Sequence, residues 1–216
     1  MNTEPLAAIT LSGRHVVLEP LSLDHVAPLV AAASESRSTY ALTSVPEGEA
    51  AMRQYLEHAL AEQDNGAALP FATVDRARGR VVGSTRFLSI ERWAWPGERA
   101  PEVPAVSFEA AEIGSTWLAA SAQRTAINTE AKLLMLTHAF EVWRLRRVNL
   151  KTDARNLRSR AAIERLGARL DGILRAHMPA FDRTVRDTAM YSILASEWPS
   201  VKERLEACLK TQPEGR

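Results

Sequence analysis

Apolar and polar positions alternate over His15-Val-Val-Leu-Glu19, which predicts a first strand ending at Pro20. Ser22 or Asp24 can then cap a helix carrying Val26, Leu29, Val30 and Ala33. A polar loop from Ser34 to Pro46 contains Tyr40. Met52, Leu56 and Leu60 recur at helical spacing and predict a second helix from about Glu47 to Gln63, stopped by Asn65-Gly66. Strands over 70–74 and 80–90, joined by a turn at 75–79, read as a hairpin. Arg92 to Pro104 is a loop holding Trp93 and Trp95 among three prolines.

The second half is more regular. A strand over Glu112–Leu118 runs into a loop of small and polar residues, 119–127. Asn128 is a good N-cap for a helix with Leu133, Leu136, Phe140 and Trp143 on one face, and Glu130 suits its first turn. A strand over 147–152 leads to a second N-cap at Asn156. That helix carries Leu157, Ala161, Ile163 and Leu166, and Gly167 fits its C′ position. Strands over 168–176 and 187–194 follow, then a helix from Trp198-Pro199. Strands and helices alternate through this half, so the fold class is mixed α/β. No repeat and no linker interrupts the pattern, so one domain is expected over 1–216, with its core at about 11–209.

Composition changes the picture in two places. The single cysteine, Cys208, excludes a disulfide framework and a cysteine-based zinc site, and the five histidines form no short metal-ligand pattern, so no metal is expected. No apolar run approaches a membrane span, and the first 15 residues carry no basic segment followed by an apolar core, so the chain reads as cytoplasmic. Charge is nearly balanced, at 27 Lys+Arg against 26 Asp+Glu, which excludes a protein basic overall. It is unevenly spread. Residues 144–169 hold nine basic residues and two acids, a local balance of +7, so a local anionic partner is implied beside the plain reading of a solvated arginine-rich stretch.

The segment richest in chemistry is 112–159. A strand, a short loop and a helix start bring unpaired backbone N–H groups and a helix dipole together, an arrangement that can cradle phosphate, with Arg124 adding a cation. The loop contains neither GxxxxGK[ST] nor GxGxxG, which counts against a P-loop ATPase or a dinucleotide fold. An ordinary strand–loop–helix connection remains the alternative at this point.

These residues, in this order, resemble the GCN5-related N-acetyltransferase (GNAT) family, in the branch related to the acetylases of ribosomal-protein N-termini (RimJ/RimL-like). The family's cofactor motif, Q/R-x-x-G-x-G/A, is matched by Gln123-Arg-Thr-Ala-Ile-Asn128. Its Asn-x-x-Ser helix start is matched by Asn156-Leu-Arg-Ser159, followed by Leu166-Gly167, and Met190-Tyr-Ser-Ile193 with Glu197-Trp198 fits the close. Two positions depart from the pattern: Ala126 stands where the family has Gly, and Asn128 where it has Gly or Ala. Ala126 is harmless if its φ is negative and costly if φ is positive.

The resemblance implies a central, mostly antiparallel sheet of about seven strands flanked by helices, with a closing helix. It implies an acyltransferase that uses acetyl-CoA as cosubstrate and passes the acetyl group to a primary amine by direct attack in a ternary complex. It implies cofactor contacts at Trp117, Leu118, Gln123, Arg124, Thr125, Ala126, Ile127, Asn128, Asn156 and Ser159, with Arg155, Arg158 or Arg160 facing the phosphates. An alkylammonium must lose a proton before it attacks, and Glu112 is the first candidate base, ahead of Glu109 and Asp153. The backbone N–H of Leu118 is the expected oxyanion donor, and Ser159 and Tyr191 compete to protonate the leaving thiolate. Tyr40, Trp93 and Trp95 are candidate acceptor-binding residues. The acceptor is a protein N-terminus or a small-molecule amine, and relatives include homodimers. The competing class is a non-catalytic module that binds RNA or ribosomes through 144–169, or that senses acetyl-CoA. The stretch lacks the interleaved aromatics of single-strand binding, which counts against nucleic acid.

Overall fold

The strands assemble in the order β1-β2-β3-β4-β5-β6-β8-β7. The structure, a computed structural model, describes residues 6–94 and 108–211. The strands are β1 (Leu11–Ser12), β2 (Val16–Pro20), β3 (Leu69–Asp75), β4 (Arg80–Glu91), β5 (Ala110–Leu118), β6 (Arg147–Asp153), β7 (Arg169–Pro179) and β8 (Val185–Leu194). The helices are α1 (Val26–Ser34), α2 (Gly48–Asp64), α3 (Ala126–Thr137), α4 (Leu157–Leu166) and α5 (Trp198–Thr211). The expected sheet of about seven strands has eight. The added one is β1, a two-residue strand too short to leave an alternation in the sequence.

Neighbouring strands pair antiparallel except β5 and β6, which are parallel. That parallel ladder is short. It joins Ala110–Glu112 to Arg147–Asn149 and then ends, although both strands run on. The sheet therefore opens into a cleft between β5 and β6, with Glu112 at its apex.

Successive residues of a strand point to opposite faces, which fixes the layers. Arg86 of β4 reaches Glu62 of α2, while its neighbour Thr85 meets Lys132 of α3. Helices α2 and α3 therefore cover opposite faces of the sheet. Apolar residues from both layers, including Leu18, Leu29, Met52, Phe71, Phe87, Met135 and Tyr191, are fully buried. Ser22 caps the short turn leading into α1, as one of the two expected candidates. Asn156 caps α4 by accepting from the Ser159 N–H at 3.0 Å, and Gly167 ends that helix at φ 103°, a conformation that favours glycine. No helix among the described residues is long and apolar enough to cross a membrane.

The start of α3 differs from the sequence expectation. Thr125, not Asn128, is the N-cap, and its hydroxyl accepts from the Ile127 N–H at 3.3 Å. Asn128 lies one turn inside. Glu130, expected to serve the helix dipole, is instead buried beneath the β1–β2 turn. Its carboxylate accepts the backbone N–H groups of Arg14, His15 and Val16 at 2.9, 2.6 and 2.8 Å. Three donors on one carboxylate tie the N-terminal hairpin to α3. Glu130→Ala strands those donors, and we expect it to cost about 3 kcal/mol in urea denaturation. Glu130→Gln, which keeps one acceptor oxygen, should recover part of that loss.

Candidate active site

The cleft between β5 and β6 widens into a cavity of about 1640 Å³. Its floor is β5 from Glu112 to Leu118 and β6 from Leu150 to Asp153. One end is the start of α3, where Arg124, Thr125 and Asn128 line it, and the start of α4 contributes Asn156, Arg158 and Ser159. The loop from Arg37 to Glu47 forms another wall.

The loop before α3 is held in place by its own side chains. The Gln123 amide donates to the Leu118 carbonyl at 2.9 Å and to Thr39 at 3.2 Å, and the Thr125 hydroxyl donates to the Ala122 carbonyl at 2.8 Å. Ser121 donates through its N–H and its hydroxyl to Glu35, which also pairs with Arg80. Arg124 takes a left-handed φ of 62°, so the turn is made one residue before the helix cap. Ala126 is the first helical residue and has negative φ, so it carries no penalty where the family has Gly. The first-turn N–H groups of α3 have no intrahelical acceptors, and this end of the cavity suits an anion.

Glu112 is 5% exposed, and its Oε2 pairs with Lys151 Nζ at 2.8 Å. A Cβ at Gly114 would lie 2.7 Å from Glu112 Oε1, so the glycine makes room for the carboxylate along the strand. Just beyond, β5 bulges. Trp117 pairs with Ser84 and Gly114 with Arg86, leaving Ser115 and Thr116 opposite Thr85 alone. Ser115 has φ 47°, outside the usual range of a non-glycine strand residue.

Lys132 was not singled out from the sequence. It is 4% exposed, lines the cavity, and donates to Thr85 Oγ1 at 2.8 Å and Thr116 Oγ1 at 2.7 Å. No carboxylate among the described residues pairs with it, and burial lowers its pKa from 10.5 to about 7. The missed signal was a charge on the buried stripe of a helix, between Asn128 and Met135. Lys151 was read only as part of a basic stretch.

Twelve sequence-predicted residues line the cavity: Tyr40, Glu112, Trp117, Leu118, Gln123, Arg124, Thr125, Asn128, Asp153, Asn156, Arg158 and Ser159. Tyr40 is buried, its hydroxyl donates to the Leu118 carbonyl at 2.9 Å, and burial raises its pKa. The indole N–H of Trp117 is buried with no acceptor within the described chain. Ala126 and Ile127 shape the helix start without lining the cavity.

Tyr191 lies away from it. Its hydroxyl donates to Glu164 at 2.9 Å and accepts from Arg160 at 2.9 Å, and burial raises its pKa. Asp153 lines the cavity, but Arg155 holds it well below the usual carboxylate range, and Glu109 is bound by Arg146. Trp93 is 41% exposed, donates to Glu91, and does not reach the cavity. Trp95 lies outside the described residues.

The basic stretch divides in two. Arg146, Arg147, Lys151, Arg155 and Arg169 pair with Glu109, Asp171, Glu112, Asp153 with Asp182, and Glu197. Most of this stretch is thus neutralised by acids brought in from elsewhere, instead of being simply solvated. Arg158 and Arg165 line the cavity, whereas Arg155 and Arg160 do not. Arg158 also donates to the Thr39 carbonyl, joining α4 to the 37–47 wall.

A profile described as acetyltransferase (GNAT) domain matches residues 15–169. A search of curated proteins finds no match. Among solved structures, the chain is similar to a GCN5-related N-acetyltransferase from Brucella melitensis, with 34% identity, TM-score 0.78, and coverage of 96% of this chain and 90% of that one. It is also similar in fold to Mycobacterium smegmatis RimJ in complex with CoA-disulfide, with 22% identity, TM-score 0.77 and coverage of 95% and 97%. RimL, a ribosomal L7/L12 alpha-N-protein acetyltransferase, aligns with 19% identity, TM-score 0.71 and coverage of 88% and 96%.

The buried lysine generates a prediction for stability. Between pH 7 and 10.5 the unfolded chain keeps a lysine proton that the folded chain has lost. Stability therefore rises with pH through that window; the burden of Lys132 is full below about 7 and gone above 10.5. Lys132→Met removes it and leaves Thr85 and Thr116 bonded to each other at 2.8 Å. In urea melts we expect the variant to be more stable than wild type at pH 6, with the gap closing by pH 10.

Proposed function

The chain belongs to the acetyltransferase (GNAT) domain family and is an acyltransferase, and from that premise we propose that it uses acetyl-CoA to acetylate a primary amine. The observation that carries this reading is the cleft between β5 and β6, with an anion cradle at one end and a buried carboxylate at its apex. The residues fit the cosubstrate. The α3 start and Arg124 would hold the pyrophosphate, with Arg158 adding charge. Negative φ at Ala126 keeps the cradle usable, and the unpaired Trp117 N–H offers a donor to a bound acceptor atom. When bound, acetyl-CoA supplies an activated acyl group as a thioester.

The chain's own residues would do the rest. Glu112 takes a proton from the acceptor ammonium, directly or through a water, so that the nitrogen lone pair can attack. As the C–N bond forms and the C–S bond breaks, the Leu118 N–H stabilises the acyl oxygen. The second proton shed by the nitrogen goes to the departing sulfur, so that it leaves as the thiol, with the Ser159 hydroxyl on the cavity wall hydrogen-bonded to it. Tyr191, already bonded to Glu164 and Arg160, has no part in this scheme. We place the chain in the RimJ/RimL-like branch, supported by its motif order and by the fold neighbours. A protein N-terminus is the leading acceptor, and small-molecule amines are the other class. Tyr40, on the cavity wall, would shape the acceptor's approach. The expected partner is thus the amine acceptor. The domain would span the chain and work in the cytoplasm.

Calorimetry should give micromolar binding of acetyl-CoA and none of ATP. Thr125→Trp, which fills the cradle, should weaken binding at least ~10-fold. Thiol release should be screened with peptides bearing free N-termini, polyamines and aminoglycosides. With the acceptor that responds, Glu112→Gln should lower kcat by about 100-fold and leave the acetyl-CoA KM within twofold. An unchanged kcat would remove Glu112 as the base.

A further inference from the structure

Lys132 has a physical puzzle attached to it. A lysine buried without a carboxylate is expensive, and its two partners do not need it. Thr85 and Thr116 already lie 2.8 Å apart, Thr116 can also donate to the Gly114 carbonyl at 3.3 Å, and Thr85 touches Met135 Sδ at 3.8 Å. An apolar side chain would fill the same place at less cost. Stability alone does not account for an amine here.

Position does. Thr116 is half of the β5 bulge, and Thr85 is the single β4 residue opposite it. Lys132 spans both strands from α3, one turn beyond Asn128 of the cradle. Ser115, beside Thr116, sits at φ 47°, and such backbone persists only where its surroundings over-determine it. Lys132 supplies that over-determination, fastening the bulge to the same helix whose start forms the anion cradle. Two of its three donors are used, and the residue lines the cavity.

We infer that Lys132 is a positioning residue: with Thr85 and Thr116 it locks the β5 bulge to α3 and so fixes the backbone along which the acyl arm of the cosubstrate lies. This rests on the acetyl-CoA reading above. It separates two jobs in one cavity, the phosphate end held by the α3 start and the acyl end held in register by Lys132.

The test measures binding of acetyl-CoA and of 3′-phospho-ADP, its nucleotide half, to wild type, Lys132→Met, Thr116→Val and Thr116→Ser, with a thermal melt of each. Lys132→Met should melt at or above wild type, lose at least ~10-fold affinity for acetyl-CoA, and keep its affinity for 3′-phospho-ADP within twofold. Thr116→Val should move the same way by less, and Thr116→Ser should behave as wild type. Equal losses for both ligands, no loss for either, or a lower melting point with binding intact would overturn the inference and leave a structural lysine. A wild type that binds no acetyl-CoA would overturn the cosubstrate reading itself, and the inference with it.

Discussion

Helix α3 is gripped on both sides of its first two turns, and the cavity depends on that grip. On one side Glu130 accepts three backbone N–H groups from the β1–β2 turn. On the other, Lys132 donates to Thr85 and Thr116 across β4 and β5. A charged group satisfied by several backbone donors is strongly stabilising, whereas a buried amine held by two hydroxyls is not. The two contacts therefore do different work. Glu130 fixes where α3 lies on the sheet. Lys132 couples that position to the shape of β5. The sheet can then part beyond Glu112 without the helix drifting into the gap, and the N–H groups at the helix start stay aimed at one end of the cleft.

The charge pattern obeys the same economy. Taken along the sequence, 144–169 implies a local anionic partner; taken in the fold, five of its nine basic residues are in ion pairs. Glu109, Asp171, Asp182 and Glu197 come from flanking segments to meet Arg146, Arg147, Arg155 and Arg169. Exposed pairs of this kind contribute little stability each, typically below ~1 kcal/mol. Their consequence is selectivity. The basic residues that reach the cavity include Arg124, Arg158 and Arg165. A confined basic end suits a small polyphosphate better than a long polyanion.

How much of this was legible depended on whether the signal was local. Strand alternation, the Asn156 cap and the Gly167 stop are local, and they read correctly. So is the strand–loop–helix connection before α3, because a strand, small residues and a helix start are adjacent in sequence. The N-cap of α3 was misplaced by one turn, since Thr125 and Asn128 are both good caps and only the path of the chain at Arg124 selects between them. The place of Tyr191 away from the cavity was not legible, because its face depends on the register of β8 with β6, a long-range pairing. Glu130 and Lys132 were visible as charges within an apolar stripe. Their meaning was not, because the partners lie 114 to 116 residues away for Glu130, and 16 and 47 away for Lys132.

Several unfavourable features of the fold gather on β5. Within six residues of β5 the chain seats a buried carboxylate that tolerates no Cβ at Gly114, holds Ser115 at φ 47°, and leaves the Trp117 N–H without an acceptor. Against the same segment it buries Lys132. Each such feature costs on the order of 1–3 kcal/mol. Elsewhere in the core the rules of burial and alternation hold well, with apolar side chains packed from both layers. A stretch that breaks several local rules within six residues points to a demand other than stability. Here the breaks share one geometry: they open the sheet, line the opening with polar groups, and keep it from closing. The bulge and the cleft are thus one device, and Glu130, on the far side of the same helix, anchors the element that borders it.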